Sequence, residues 1–343
     1  MLRYLIQRLF VMIPTLLVIS VLVFAIIQAP PGDYLESMVA EMQSRGEDIP
    51  QEKVDFLRKT YGLGEPFHIQ YLRWMFGHWE GIHHTDGGLV FGDMGYSFEH
   101  EAKVSEVVGD RLSLTVVISL ASILLVWLIS FPIAVYSATH QYSFFDYFFT
   151  FLGYLGLATP SFLIALILLY FANIYFGTSI GGLMDPSYLD QPMSWGKFKS
   201  VLEHMWLAVL VIGLPGTAGM IRRLRANLLD ELNKQYVTTG RAKGLPPGRL
   251  LVKYPLRISL NPFIADIGSL LPELISGSVV VSVVMSLPIT GPMLLGALRS
   301  QDMYLAGSFL MFMAFLTVVG IFVSDVALAL LDPRIRLGAG TAK

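Results

Sequence analysis

Apolar residues dominate six stretches of this chain, at about Leu9–Ala29, Leu112–Ala138, Phe148–Phe176, Val201–Ile221, Phe263–Met285 and Tyr304–Leu331. Each reaches the roughly 20 residues that a helix needs to cross a bilayer. Leu and Ile recur in all of them and Val and Phe in five each, at roughly −0.3 to −0.6 kcal/mol apiece near the bilayer centre. A lone acid at about +2.5 to +3.5 kcal/mol does not overturn such a sum. The pattern predicts an all-α integral membrane protein with six transmembrane helices. Four of the five later spans hold a proline, at Pro132, Pro160, Pro215 and Pro272. Proline removes a backbone donor and crowds the turn before it, so a kink is expected at each. Carbonyls freed there need a neighbouring helix or a water-filled cavity. Ordinary packing kinks, frequent in membrane helices, account for the same prolines.

The polar stretches give the rest of the layout. Pro30–Arg111 is too long for an idle hairpin and is expected to pack as a small cap between helices 1 and 2. Glu52–Tyr61 has helical spacing at Val54, Leu57 and Tyr61, with Gly62 and Gly64 to end it. Gly92-Asp93-Met94-Gly95 reads as a turn. Beyond the fourth span, Arg222–Asn233 should continue that helix, with Leu224, Leu228 and Leu232 forming one apolar stripe. A short helix follows over Gln235–Lys243, stopped by Gly244 and turned by Pro246, Pro247 and Gly248.

Charge orients the chain. Arg222–Pro262 holds nine Lys and Arg residues against two acids, Asp230 and Glu231. Positive charge marks short cytoplasmic connections. Six spans with both termini inside place this segment in the cytoplasm, so parity and charge agree. The outer segment Pro30–Arg111 carries fifteen acids and seven bases, but loops that long cross membranes largely regardless of charge. The first apolar run follows Arg3 and Arg8 like a signal peptide. It is longer than an h-region of about 7–15 residues and no small-x-small site precedes Pro30-Pro31-Gly32, so a retained helix is expected.

Composition narrows the function classes. The 343 residues are 54% hydrophobic and 15% charged, with net charge −2 and no cysteine; the mean hydropathy is +0.60. Disulfides, thiolate catalysis and cysteine-held zinc are excluded. No G-x-x-x-x-G-K-[ST] loop cradles phosphate, so the chain binds no ATP of its own by that route. H-E-x-x-H is absent, and the one G-x-S-x-G string, Gly177–Gly181, follows an apolar helical run and not a strand, which argues against an intramembrane hydrolase. The basic segment lacks interleaved aromatics, which argues against nucleic acid.

Several side chains invite a chemical role. Asp266 and Glu273 lie seven residues apart on one face of the fifth span. Acids inside a membrane helix suggest a pathway for solute or ions, or a hydrogen bond between helices. Asp325, late in the sixth span before Asp332-Pro333-Arg334, is expected to make a structural contact with a basic loop residue. His78, Glu80, His83, His84 and Asp86 could meet a metal, but their spacing fits no standard site, and no metal is expected. Trp74, Trp79 and Trp195 could stack on sugars or belt the membrane interface. Gly240 would let another surface approach the backbone, between Arg241 and Lys243. A solvated basic loop explains the charges equally, but not the glycine spacing or the proline break.

The run QYVTTGRAKGLPPGRLLVKYPLRISLNP resembles the cytoplasmic loop of binding-protein-dependent ABC importer permeases in their oligopeptide/dipeptide/nickel form. Tyr236, Thr239, Arg241, Ala242, Lys243, Gly244 and Leu245 match the family's run. Gly240 stands where an alanine is usual, and Gln235 lies near a frequent acid. MLRYLIQRLFVMIPTLLVISVLVF, YGLGEPFHIQYLRW, FGDMGYS, SLTVVISLASILL, ATPSF and SDVALALLDPRIR resemble further family segments, in order and over almost the whole chain. The resemblance implies a type I importer membrane domain in a bacterial inner membrane. It implies an N-terminal helix and outer segment over 1–110, a core domain over 111–332 and a cytoplasmic tail over 333–343. A second, similar permease, two ATPase subunits that bind ATP and Mg, and an external solute-binding protein are the implied partners. The helix at about 235–243 would be the coupling helix gripped by an ATPase. The implied solutes are peptides or oligosaccharides. An ion-gradient-driven secondary transporter is the rival from another class, though it would want repeated halves.

Overall fold

A computed structural model of the chain describes residues 2–30, 39, 50, 52, 54–55, 64–77, 87–177, 181–188 and 194–331. The expected Glu52–Tyr61 helix, the His78–Asp86 cluster, Trp79 and the C-terminal tail lie wholly or mostly outside these residues. The described chain is almost wholly helical; a two-stranded antiparallel hairpin, β1 (Tyr96–Ser97) with β2 (Ala102–Lys103), is the exception. It divides into two compact units, 1–114 with 289–319, and 115–288 with 320–343.

Among the described residues, four helices are long and apolar enough to cross a membrane: α1 (Leu2–Gln28), α3 (Val104–Thr139), α6 (Trp195–Leu232) and α13 (Met303–Leu331). A fifth crossing is available if α4 (Phe144–Ala158) and α5 (Ser161–Phe176), bent by 105° at their junction, count as one. The bend is at Pro160, as expected. Thr159 takes an extended conformation (ψ 126) before it and Pro160 opens α5, so the helix restarts rather than curves. At Pro132, Pro215 and Pro272 the chain instead stays helical. The expected span Phe263–Met285 is broken, but away from Pro272. It forms α10 (Asn261–Gly277) and α11 (Val279–Val284), separated at Ser278. The buried Ser278 hydroxyl turns back to the Ile275 carbonyl at 2.9 Å, and Gly277 precedes it.

In the first unit α2 (Phe67–Phe76) packs on α1 through aromatic rings. Phe24 stacks on Trp74 with centroids 5.5 Å apart and meets Phe67 edge-on at 5.0 Å. Trp74 is 2% exposed and its indole donates to Ser308 Oγ at 3.1 Å. It is therefore a packing residue and not available to stack on a solute. The hairpin is knotted to the start of α13 by Asp302, which is fully buried. Its carboxylate accepts from Ser97 Oγ (2.7 Å), Glu99 N (3.2 Å) and, as a helix cap, Leu305 N (3.1 Å). Ser300 on the same turn donates to Glu99 Oε2 at 2.7 Å. α12 (Thr290–Arg299) leads into that turn.

In the second unit α6 is the spine. Ser122 and Ser130 of α3 donate to the Val209 and Thr217 carbonyls of α6, at 3.4 and 3.2 Å. Val126, Ala134, Met220, Ile221, Leu224 and Phe263 form one apolar cluster below them. α10 crosses α13 where Gly268 meets Gly320. A Cβ on Gly268 would lie 1.9 Å from the Gly320 carbonyl carbon, so main chain touches main chain. Gly268 N also donates to Ser324 Oγ at 2.8 Å.

Candidate functional site

The basic segment is built on α6, which runs past its apolar stretch to Leu232 with Leu224 and Leu228 fully buried. Lys234 is extended (ψ 149), and the chain then forms α7 (Gln235–Ala242). Gly244 ends it with φ +74, a conformation that suits glycine, and Leu245 N closes the turn on Gly240 O at 3.2 Å. Pro247 opens α8 (Pro247–Lys253), and α9 (Pro255–Ser259) follows. The expected helix, stop and turn are all present in this order.

α7 has two faces. Val237 and Gly240 are buried, whereas Gln235, Thr238, Thr239, Arg241, Ala242 and Lys243 are exposed. A Cβ on Gly240 would come 2.5 Å from Leu250 Cδ1 of α8. The close approach that this glycine permits is thus made by the chain's own next helix. Leu245 is half-buried beside it. Tyr236 points back along the chain: its hydroxyl donates to the Glu231 carboxylate, and its ring lies 6.3 Å from that of Tyr254. Burial, then the hydrogen bond to Glu231, raises its phenol above the usual tyrosine range. Thr239 Oγ1 donates to the Gln235 carbonyl at 3.0 Å. What α7 offers outward is a short basic and hydroxyl face on an anchored helix.

The second feature is a cavity of about 460 Å³ within the second unit, lined among others by Thr159, Pro160, Ser161, Val211, Pro215 and Glu273. It gathers the α4–α5 restart, the proline of α6 and the end of α10 near its break. The two acids of α10 part company here. Asp266 accepts from Arg223 Nη1 at 2.7 Å, and that guanidinium also lies 5.5 Å from the Phe263 ring centroid. Glu273 is exposed to the cavity and, among the described residues, enters no ion pair.

Residues 130–337 match the family described as binding-protein-dependent transport system inner membrane component, and residues 1–121 match the description of its N-terminal part. The chain belongs to this family. Like other ABC importer permeases of the oligopeptide and dipeptide type, it is a multi-pass membrane permease subunit of such a transport system. It is 34% identical over 337 residues to the oligopeptide transport system permease protein AppB of Bacillus subtilis (strain 168), covering 98% of this chain and 100% of that one. It is 29% identical over 349 residues to the di/tripeptide transport system permease protein DppB of Pseudomonas aeruginosa (strain UCBPP-PA14), covering 98% and 99%. The dipeptide transport system permease protein DppB of Escherichia coli (strain K12) is 27% identical over 352 residues, with the same coverage.

One anchor of this permease's basic segment is not visible as a local motif. Arg225 of α6 grips Asp146 of α4 with two parallel bonds, Nε to Oδ1 at 3.0 Å and Nη2 to Oδ2 at 2.8 Å. Asp146 is buried, and its carboxylate also accepts from Tyr142 N at 3.1 Å. Ser143 caps α4 by accepting from Asp146 N at 3.2 Å. The sequence counts Arg225 only as one positive charge of nine; its partner lies 79 residues away. The S-x-x-D spacing at Ser143–Asp146 is the one local signal, and it announces a helix start, not a clamp. Trp195 is 80% exposed, unlike Trp74.

Proposed function

We propose that this chain forms one half of the membrane pathway of an ATP-driven peptide importer, with α7 as its coupling helix. The observation that carries the proposal is the division of α7 into an anchored face and an offered face. Val237, Gly240, Tyr236 and Leu245 hold the helix to α6 and α8, while Gln235, Thr239, Arg241, Ala242 and Lys243 stand outward ahead of the Gly244 stop. Rigid seating lets a push on a small helix move the long α6 behind it. The named relatives are peptide permeases, which favours peptide over oligosaccharide as solute.

In this scheme both termini and the basic segment face the cytoplasm of a bacterial inner membrane. Residues 1–110 supply the first helix and outer cap, 111–332 the core, and 333–343 the tail. A second homologous permease completes the pathway. Two ATPase subunits hold ATP and Mg, and a solute-binding protein delivers the peptide from outside. Glu273 faces the pathway, and Asp266 with Arg223 braces its wall.

The chain has no cysteine, so one introduced thiol is its only one. Thr239→Cys in the assembled complex should crosslink to an ATPase subunit, whereas Tyr142→Cys should not. The reverse pattern overturns the assignment of α7. Uptake in proteoliposomes should persist with ATP present and the proton gradient collapsed; loss of uptake there favours a gradient-driven carrier instead.

A further inference from the structure

The cavity beside Glu273 is unusual in what lines it. Pro160 has no N–H to give the carbonyl four residues earlier, that of Gly156, and Pro215 has none for Val211. Val211 is fully buried, so its carbonyl is closed off, but half-buried Gly156 lines the cavity with the hydroxyl residues Thr159 and Ser161 and with Glu273. Thr159 donates its own hydroxyl to the Leu155 carbonyl at 2.7 Å, so toward the cavity it offers lone pairs. Arg223 is the cation in the lining, and Asp266 already matches its charge at 2.7 Å. The wall is mostly apolar, and among its polar groups, once the Arg223–Asp266 pair is set aside, the one charge is the negative charge of Glu273. An unpaired carboxylate in such a place is stabilised by a mobile cation with several N–H donors.

We propose that this cavity is a subsite for a protonated primary amine, carried on the solute that passes through the permease. It rests on the reading of the chain as half of a peptide pathway and names the part of the peptide that the pathway engages: its terminal ammonium. Three N–H donors suit the Glu273 carboxylate, the lone pairs of Thr159 and the carbonyl of half-buried Gly156. A volume of about 460 Å³ admits a small residue around the amine.

The test uses the complete permease–ATPase complex in detergent without binding protein, so that the permeases alone report. Equilibrium dialysis with trialanine and with N-acetyl-trialanine should show tighter binding of the free amine. Glu273→Gln should weaken trialanine about tenfold, the scale of one charged hydrogen bond, and leave the acetylated peptide unchanged. Glu273→Asp should restore part of the difference. Equal binding of both probes to the unaltered complex, binding of neither, or no effect of Glu273→Gln overturns the subsite. A fall in the yield of assembled Glu273→Gln complex also overturns it, since Glu273 would then hold subunits together. Trialanine uptake by unaltered proteoliposomes with the binding protein present separates the two ideas. Intact uptake with an unaffected variant sinks the subsite alone, whereas no uptake of peptide sinks the function it rests on.

Discussion

The Asp302 knot of the first unit and the α7 foot of the second solve opposite problems with the same kinds of residue. At the knot the central polar groups, Ser97 and Asp302, are turned inward. Asp302 is fully buried and accepts from a serine hydroxyl and two backbone N–H groups drawn from segments some 200 residues apart in sequence. At the foot the polar groups of α7 are turned outward, and Val237, Gly240, Leu245 and the Tyr236–Glu231 bond hold it from behind. Buried polar groups must be satisfied by the chain itself. Exposed ones leave capacity for another molecule. Damage at the knot should therefore appear as lost stability, and damage at the foot as lost coupling in a protein that still folds.

Asp302→Ala tests the knot and should have the largest effect. It strands three donors and removes a cap, a loss of about 3 kcal/mol. Detergent melting should fall by about 5–10 °C. Burial pushes the Asp302 carboxyl above its usual range, outweighing the hydrogen bonds that pull it down. A raised carboxyl contributes stability that is full below its unfolded pKa and lost as pH rises through the folded one. Asp302→Asn should therefore flatten the melting profile across the acid range. An unchanged profile would remove the contrast on that side.

Arg241→Glu with Lys243→Glu tests the foot. Uptake should drop at least about tenfold while melting is unchanged. A parallel drop in melting would mean that α7 is structural after all. Tyr236→Phe is milder, at about 1 kcal/mol, because Glu231 can turn to water. Its sign with pH is definite: a phenol raised by burial contributes stability below the ordinary tyrosine range, and that contribution fades as pH climbs through the raised value. Melting of the unaltered chain should thus fall in strong alkali more than that of Tyr236→Phe. Gly240→Ala should be nearly silent. The new methyl displaces Leu250 Cδ1, the free end of a flexible side chain. Helix propensity returns about 1 kcal/mol. A large loss of stability would show that α8 cannot give way.

Local features of the sequence were the readable ones. Four continuous apolar helices, the restart at Pro160, the run of α6 beyond its apolar stretch and the stop at Gly244 all follow from residues within one or two turns. Contacts distant in sequence were not readable. Nothing near Asp146 announces Arg225, and nothing near Ser97 announces Asp302. The prolines teach the finer point. Pro160 ends a helix because Thr159 before it is extended, while Pro132, Pro215 and Pro272 sit in helices that continue. Composition cannot separate these outcomes, since the surroundings of the freed carbonyl decide them. The break at Ser278 was hidden inside an apolar run by a serine that bonds back to its own helix.

At the crossing of α10 and α13, Gly268 and Gly320 leave no room for even a methyl group. The separation of these two rods is therefore fixed by covalent dimensions, not by side-chain volume. Neighbouring oily residues can drift in size from one descendant to the next without moving that point. It serves as a surveyor's benchmark, an elevation that stays put while the terrain around it is regraded.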